Sequence, residues 1–494
     1  MKFTRVPALR SVAEFREHLA GLGVEMPCDE APLAGAESPL SAPVESLRVN
    51  GKTIGNRWVV QPMEGWDGNL DGTPTDEVRR RWRRFGESGA KLVFGCEAMA
   101  VRADGRANPN QLLITPAHRE GLGSLLRELK EAHQARHGSC EDLVVGFQLT
   151  HSGRFCRPEP PGRYQPRVAF RHPLLDARFG VTEDSQVFTD EELDGLARDF
   201  VVAARVAWEA GADFVDIKHC HGYLLHELLG AHVRPGRYGG SFENRTRMLR
   251  QVVEGIRADG NPIDIAVRLS AFDLVPFVPD PAHSAPGRPG PGIPADYSGC
   301  LPYRYGFGVD VGNPVQADLG EPMRFVVLCA SLGVKLLNLS AGSPYYNPHI
   351  QRPAAYPPSD GYQPPEDPLV GVARQMGVTR RLRGHLQGLS LAGERPVVIG
   401  TGYSYLQEYL PHVAQAAVRS GWVDMVGLGR MVLSYPGLPA DVLAGVPMNG
   451  RLICRTFSDC TTAPRNGMPS GCYPLDEAYK RRPEAQRLKE LKRG

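Results

Sequence analysis

A (β/α)₈ barrel, the TIM-barrel class, is the fold that this sequence predicts. Three observations predict it: eight short, nearly continuous apolar runs, an amphipathic stretch after most of them, and polar or glycine-rich residues where each run stops. Strands of a parallel sheet are buried on both faces, so they read as unbroken apolar runs rather than as alternation. A doubly wound sheet with an extra domain shares this rhythm and is the competing architecture.

The strands fall, in order, at residues 57–61 (RWVVQ), 91–95 (KLVFG), 143–149 (LVVGFQL) and 214–218 (FVDIK). They continue at 263–269 (IDIAVRL), 335–339 (KLLNL), 396–400 (PVVIG) and 423–427 (VDMVG). Helical periodicity occupies 75–87, 118–135, 190–210, 243–258, 321–332 and 405–420. Thr189 before Asp190, Glu191 and Glu192 supplies an N-cap hydroxyl and an acidic first turn. This divides the chain into an N-terminal extension (1–46), a barrel (47–444) and a Cys-containing C-terminal extension (445–494). Two Pro- and Gly-rich inserts, 276–319 and 342–368, follow strands five and six. In a barrel that places them over the catalytic mouth. Tyr345, Tyr346, Tyr356 and Tyr362 favour a lid or pocket wall over a merely solvated loop. The GRPGPG stretch lacks the GxGxxG spacing and opens no helix, so no separate dinucleotide-binding domain is visible.

Composition excludes several classes. With 57 Lys+Arg against 55 Asp+Glu, the formal charge is +2, which argues against nucleic acid or a membrane surface bound by bulk charge. No apolar run reaches the ~18 residues of a membrane span. The opening MKFTRVPALR stretch has no apolar signal core, and ten cysteines spread over 494 residues are no disulfide scaffold. The expectation is a cytoplasmic protein with reduced thiols, acting on a small molecule; a homo-oligomer is compatible with the sequence.

The candidate chemistry sits where strands end. Gly402 after strand seven and Gly429-Arg430 after strand eight each open a helix, the usual place for a phosphate in a barrel; two ordinary tight turns are the alternative. Arg430 adds a charge-assisted donor. Gln148 and Arg268 emerge from otherwise apolar strands and need polar partners. A flat ring with amide edges supplies them. Phosphate plus such a ring is flavin mononucleotide (FMN) or a nucleotide-like substrate.

The stretch from Ala207 to Arg247 (AWEAGADFVDIKHCHGYLLHELLGAHVRPGRYGGSFENRTR) resembles the central signature of the Old Yellow Enzyme family. Asn56-Arg57 with Pro62-Met63 resembles that family's first strand. Gln148-Leu-x-His151-x-Gly153-Arg154 resembles its third, Val267-Arg268-Leu269-Ser270 its fifth, and Gly429-Arg430 its eighth. The resemblance spans roughly Leu47 to Ala444. It implies an FMN-dependent NADH:flavin oxidoreductase that takes hydride from NAD(P)H and passes it from flavin N5 to an activated C=C. Pro62 and Met63 would back the ring, with Glu64 beside them and Glu97–Ala98 at its edge. Gln148 would bind the pyrimidine portion, Arg268 would stabilise the reduced anionic flavin, and Gly402, Gly429 and Arg430 would hold the phosphate. Tyr223 would be the proton donor, and His221 with Lys218 would bind the substrate's carbonyl oxygen. Arg234 would touch substrate or pair with Glu243.

Three departures from the family pattern stand out. Lys218 occupies a position where the family carries His. It is expected to supply positive charge to the substrate, to pair with Asp216 or Glu97, or to act as a Schiff-base lysine. Glu64 stands where relatives carry Cys or Thr, and a carboxylate there disfavours a negatively charged ring unless it is protonated or paired with Lys218. The tail spacing Cys454-x5-Cys460-x11-Cys472 resembles only part of a four-cysteine iron–sulfur segment, because Ile453 and Thr456 fill the first two positions. The expectation is therefore a metal-free loop. The function expected is alkene reduction. An FMN-dependent amine or C–H dehydrogenase running oxidatively is the alternative, and a non-catalytic binding barrel is the second.

Overall fold

The computed structural model describes residues 3–390 and 393–492, so residues 1–2 of the expected N-terminal extension and 493–494 of the expected tail lie outside it. Among the described residues, eight parallel strands close into a barrel: β1 (Trp58–Val60), β2 (Leu92–Val93), β3 (Val144–Thr150), β4 (Phe214–Ile217), β5 (Asp264–Ser270), β6 (Leu336–Ser340), β7 (Val397–Gly400) and β8 (Met425–Leu428). Each pairs with its neighbour in sequence, and β8 pairs with β1 through Val426↔Trp58, which closes the ring. The outer helices are α1 (Asp76–Gly86), α2 (Arg119–His137), α3 (Asp190–Glu209), α4 (Arg247–Ala258), α5 (Gly320–Ser331), α6 (Pro368–Gln387) and α7 (Leu410–Arg419).

Two apolar layers hold this arrangement. Val59, Leu92, Val144, Phe214, Ala266, Leu336, Val397 and Met425 point inward and form one buried cluster. The same cluster includes Val44, Leu47, Val49 and Ile54, from a hairpin (Val44–Val49 with Lys52–Ile54) that plugs the N-terminal end. Its turn, Asn50-Gly51, has both residues left-handed (φ 49° and 73°), as a two-residue hairpin turn demands. The expected boundary at 46/47 falls inside this first strand. The alternate strand residues pack outward against the helices; Val60, Val93, Val145, Ile217 and Val267 are buried there with Phe200, Leu249 and Leu410.

Several elements differ from their sequence reading. Strand two stops at Val93 because Gly95 (φ 115°) and Cys96 (φ 48°) turn the chain, and pairing resumes at Ala98↔Gln148. A Cβ on Gly95 would lie 2.9 Å from the Gln148 backbone nitrogen, so only glycine fits. Helix α6 begins at Pro368, where the second insert was expected to end, and is an element the apolar periodicity did not reveal. Asp367 caps it by accepting from the Leu369 N–H at 2.9 Å. The first insert folds into a small hairpin, Phe277–Pro279 with Gly292–Pro294. Pro291 bridges from it to Gln363 of the second insert. The tail docks beside the β1 loop through Arg80, both of whose terminal nitrogens donate to Asp476 at 2.9 Å.

Candidate active site

A cleft of about 240 Å³ opens at the C-terminal ends of the strands. It brings together Pro62, Met63 and Glu64 after β1, Gln148 on β3, Lys218, His221 and Tyr223 after β4, and Arg268 on β5. Gly402, Gly429 and Arg430 line it from the ends of β7 and β8. The elements that converge here are far apart in sequence, and barrel closure alone makes them neighbours.

The floor is set by Asp216. Buried on β4, it accepts from Gln148 Nε2 at 2.5 Å and from the Arg268 backbone N–H at 2.6 Å, which fixes the Gln148 side chain and the Arg268 backbone to one frame. Burial raises its carboxyl to about 7, against the lowering effect of those bonds. Arg268 donates from Nη1 to the Pro62 carbonyl at 3.1 Å, while its buried Nε has no partner among the described residues. Burial lowers the guanidinium's pKa.

At the far end two arginines meet. Arg430 Nη2 donates to the Pro353 carbonyl at 2.7 Å, and its buried Nη1 is left without a partner. Arg352, from the second insert, donates to Thr461 and to Ser458 Oγ, both neutral. Desolvation, then the charge of Arg430, pulls Arg352 down to about 10. A Cβ on Gly429 would meet nothing within 4 Å, so open space lies over its backbone. Two guanidiniums with no carboxylate bond among the described residues, facing a glycine turn, form a donor set for a dianion.

The third corner lies where β4 turns into the next helix. His221 and Gly222 are both left-handed (φ 67° and 76°), an uncommon state for His. A Cβ on Gly222 would lie 2.9 Å from the Tyr346 hydroxyl. This fold-back returns Tyr223 beneath Lys218, whose Nζ sits 3.7 Å from the phenol centroid. His221 is pinned by its N–H to Ser270 Oγ (2.9 Å), and its Nε2 accepts from Gln351 Nε2 (3.1 Å). Burial, then Arg268 and Lys218, hold its pKa well below the usual range, so it is neutral. Burial likewise lowers Lys218. The Tyr223 hydroxyl donates to Glu64 and lies 2.9 Å from the Tyr345 hydroxyl. Burial, then Glu64, raises Tyr223 well above the ordinary phenol.

The structure moves some expected residues away from the cleft. Arg234 reaches neither substrate space nor Glu243; it donates to the Ala169 carbonyl (2.6 Å) and to Asp190 (2.9 Å) and serves the scaffold. Glu97 is buried behind the β1 loop, held by Arg81 together with Asp67, and Ala98 is spent in the ladder with β3. Lys218 forms no ion pair with Asp216 or Glu97 among the described residues, and Glu64 pairs with Tyr223 rather than Lys218. The first insert contributes nothing to the lining, whereas Tyr345, Gln351, Arg352 and Pro353 of the second do. Cys460, Thr461, Arg465 and Ser470 of the tail complete the wall. Among the described residues, no group of three His, Cys, Asp or Glu is placed to hold a metal ion, and no helix is long and apolar enough to cross a membrane.

Residues 44–279 match the sequence model of the NADH:flavin oxidoreductase / NADH oxidase family. Over this stretch the chain is similar to that family. A relative, the NADPH dehydrogenase of Bacillus subtilis, is 32% identical over 242 residues, covering 46% of this chain and 63% of the relative. The chain thus spans less than two thirds of the curated relatives it matches. Among solved structures, the old yellow enzyme homologue from Zymomonas mobilis shares the fold (TM-score 0.54, 20% identity, 83% of this chain, 94% of that one). So does histamine dehydrogenase from Rhizobium sp. 4-9 (TM-score 0.61, 20% identity, 88% of this chain, 52% of that one). Both thus share the (β/α)₈ barrel found here.

Proposed function

We propose that the chain is an FMN-dependent oxidoreductase that takes hydride from NAD(P)H and delivers it to an activated C=C of a small unsaturated carbonyl compound. The observation that carries this reading is the union, in one cleft, of an anion cradle, a ring-sized floor with unpartnered Arg268 Nε, and a buried His–Lys–Tyr corner. The residues fit FMN. Arg430 Nη1, Arg352 and the open Gly429 backbone suit its phosphate, and Gln148, Arg268, Pro62 and Met63 suit its ring. FMN bound there would supply two-electron hydride acceptance and donation.

The chain's own residues do the rest. Neutral His221 and the Lys218 ammonium sit where a substrate carbonyl oxygen gains negative charge, and a buried cation there stabilises it strongly. Tyr223 holds the proton destined for the α-carbon. The walls from the second insert and tail exclude water around these steps.

The oxidative alternative, dehydrogenation of an amine or C–H bond, is favoured by one observation. The Tyr223 proton is already turned toward a carboxylate, as a base-side arrangement would have it. Stopped-flow mixing of the NAD(P)H-reduced protein with cyclohexenone, against reduction of the oxidised protein by amines, separates the two. Reoxidation by the enone supports alkene reduction; reduction by amines alone reverses the assignment. A protein that is colourless, and stays so with added FMN, removes both in favour of a non-catalytic barrel.

A further inference from the structure

Glu64 stands beside Tyr223, and a lone proton donor needs no such neighbour. Its Oε2 accepts from the Tyr223 hydroxyl and its Oε1 from Asn108 Nδ2 at 3.4 Å. The Tyr223 ring is 2% exposed, and Tyr345, its hydroxyl partner, stacks on Phe155 at 3.9 Å between centroids. Both hydroxyls are thus held in place by packing. Were Tyr223 to release its proton alone, a phenolate would form beside a carboxylate in a buried corner, and like charges disfavour that state. The difficulty disappears if the lost proton is replaced at once from a protonated Glu64. The charge then rests on a carboxylate, whose ordinary pKa lies roughly 6 units below that of a phenol.

We propose that Glu64 and Tyr223 form a two-member proton relay, with Tyr223 facing the substrate and Glu64 as the station that loads and unloads it. The proposal rests on Tyr223 being the substrate's proton partner. In the reductive direction, hydride reaches the β-carbon from NAD(P)H through the activity proposed above. The electron pair at the α-carbon takes the Tyr223 proton to form the C–H bond. The Glu64 carboxyl proton passes to the phenol oxygen, and the carboxylate regains a proton from cleft water. In the oxidative direction the same transfers run backward, and ionised Glu64 receives the proton. The titratable and charged groups around the pair are Lys218 after β4, Tyr345 of the second insert, Arg465 of the tail, Arg157 after β3 and Arg81 of α1.

The test is a double-substitution cycle on the FMN-loaded protein, following reoxidation by cyclohexenone. Glu64→Gln slows this step by roughly 10²-fold, and Glu64→Asp restores part of the rate. Added to Tyr223→Phe, Glu64→Gln costs nothing more. An equal cost in both backgrounds means that Glu64 acts on the ring by charge alone and overturns the relay. A second measurement needs no substrate: infrared titration of the carboxyl band that Glu64→Gln removes. In Tyr223→Phe this band shifts in frequency and midpoint, and an unmoved band overturns the relay. If cyclohexenone fails to reoxidise the unmodified protein, the alkene reading falls while the infrared result still decides the relay.

Discussion

Residues 44–279 and the remainder of the chain build the same cleft by different means. In the first region every site residue stands at or just beyond a strand, and the ladder fixes it: Gln148 lies opposite Asp216, and Asp216 opposite Ala266. These positions supply the proton corner and the ring floor. The second region contributes Gly402 and Arg430 from strand ends, but Tyr345, Arg352 and Arg465 come from an insert and the tail. Those three are held by hydrogen bonds and ion pairs between loops, such as Arg465 with Asp360. The contrast teaches that the barrel register sets where chemistry happens, whereas loops set what is admitted and how firmly it is gripped. Substitutions in the first region should therefore separate chemical steps, and those in the second should separate ligands.

The sharpest break of that contrast is Tyr223→Phe. Oxygen removal leaves the ring packing and the Lys218 contact in place. Flavin reduction by NAD(P)H should be nearly unaffected, and alkene-dependent reoxidation should slow by roughly 10²–10⁴-fold, the span of general acid catalysis. Stopped-flow absorbance of each half-reaction checks this. Equal slowing of both would place Tyr223 in the floor rather than at the proton step.

Arg268→Ala comes next. It removes a buried guanidinium whose Nε lacks a partner among the described residues, so beyond the single bond to the Pro62 carbonyl the loss falls on a ligand. Charge-assisted bonds of this kind are worth about 1.5–3 kcal/mol. FMN should therefore bind roughly 10- to 100-fold more weakly in equilibrium dialysis. An unchanged dissociation constant would show that β5 contributes only to the scaffold.

How much of this was legible in the sequence follows the same division. Strand ends announce themselves, because a polar residue such as Gln148 or Arg268 interrupts an apolar run; barrel closure then puts them together. The Lys218–Tyr223 contact was not legible, since it depends on two consecutive left-handed residues, His221 and Gly222, folding the chain back. Nor was Arg234's true partner, because Asp190 lies 44 residues earlier, at the start of α3, while Arg234 itself stands in a loop. Helix α6 was hidden by its own composition: it opens with Pro368, carries Gly371, Gly377 and Gly384, and is buried at Leu369, Val372, Gln375, Met376 and Thr379 on more than a single stripe. Arg352 follows no strand, and only the fold reveals that it stands beside Arg430.

That late-found residue gives the third prediction. If the second region selects the ligand, Arg352→Ala should weaken FMN about 10-fold and leave riboflavin, which lacks the phosphate, unchanged. Fluorescence titrations with both ligands measure the difference. Parallel weakening of the two would mean that Arg352 only braces the wall against Thr461 and Ser458.

The smallest effect is expected where the tail is fastened. Asp476 accepts two bonds from Arg80 and one from the Ala478 N–H at 3.1 Å, so it clamps the tail to α1 and caps the next short helix. Arg80 is a third exposed, which screens the pair. Asp476→Ala should cost ~1 kcal/mol, chiefly as a lost cap and a loosened clamp. Because the wall residues Arg465 and Ser470 precede this clamp, the tail should open to proteolysis before the barrel does. Bound FMN should slow that cleavage, since Cys460 and Thr461 line the same cleft. Limited proteolysis with and without FMN reads both effects. Equal cleavage rates in the two conditions would detach the tail from the ligand and confine its role to covering α1.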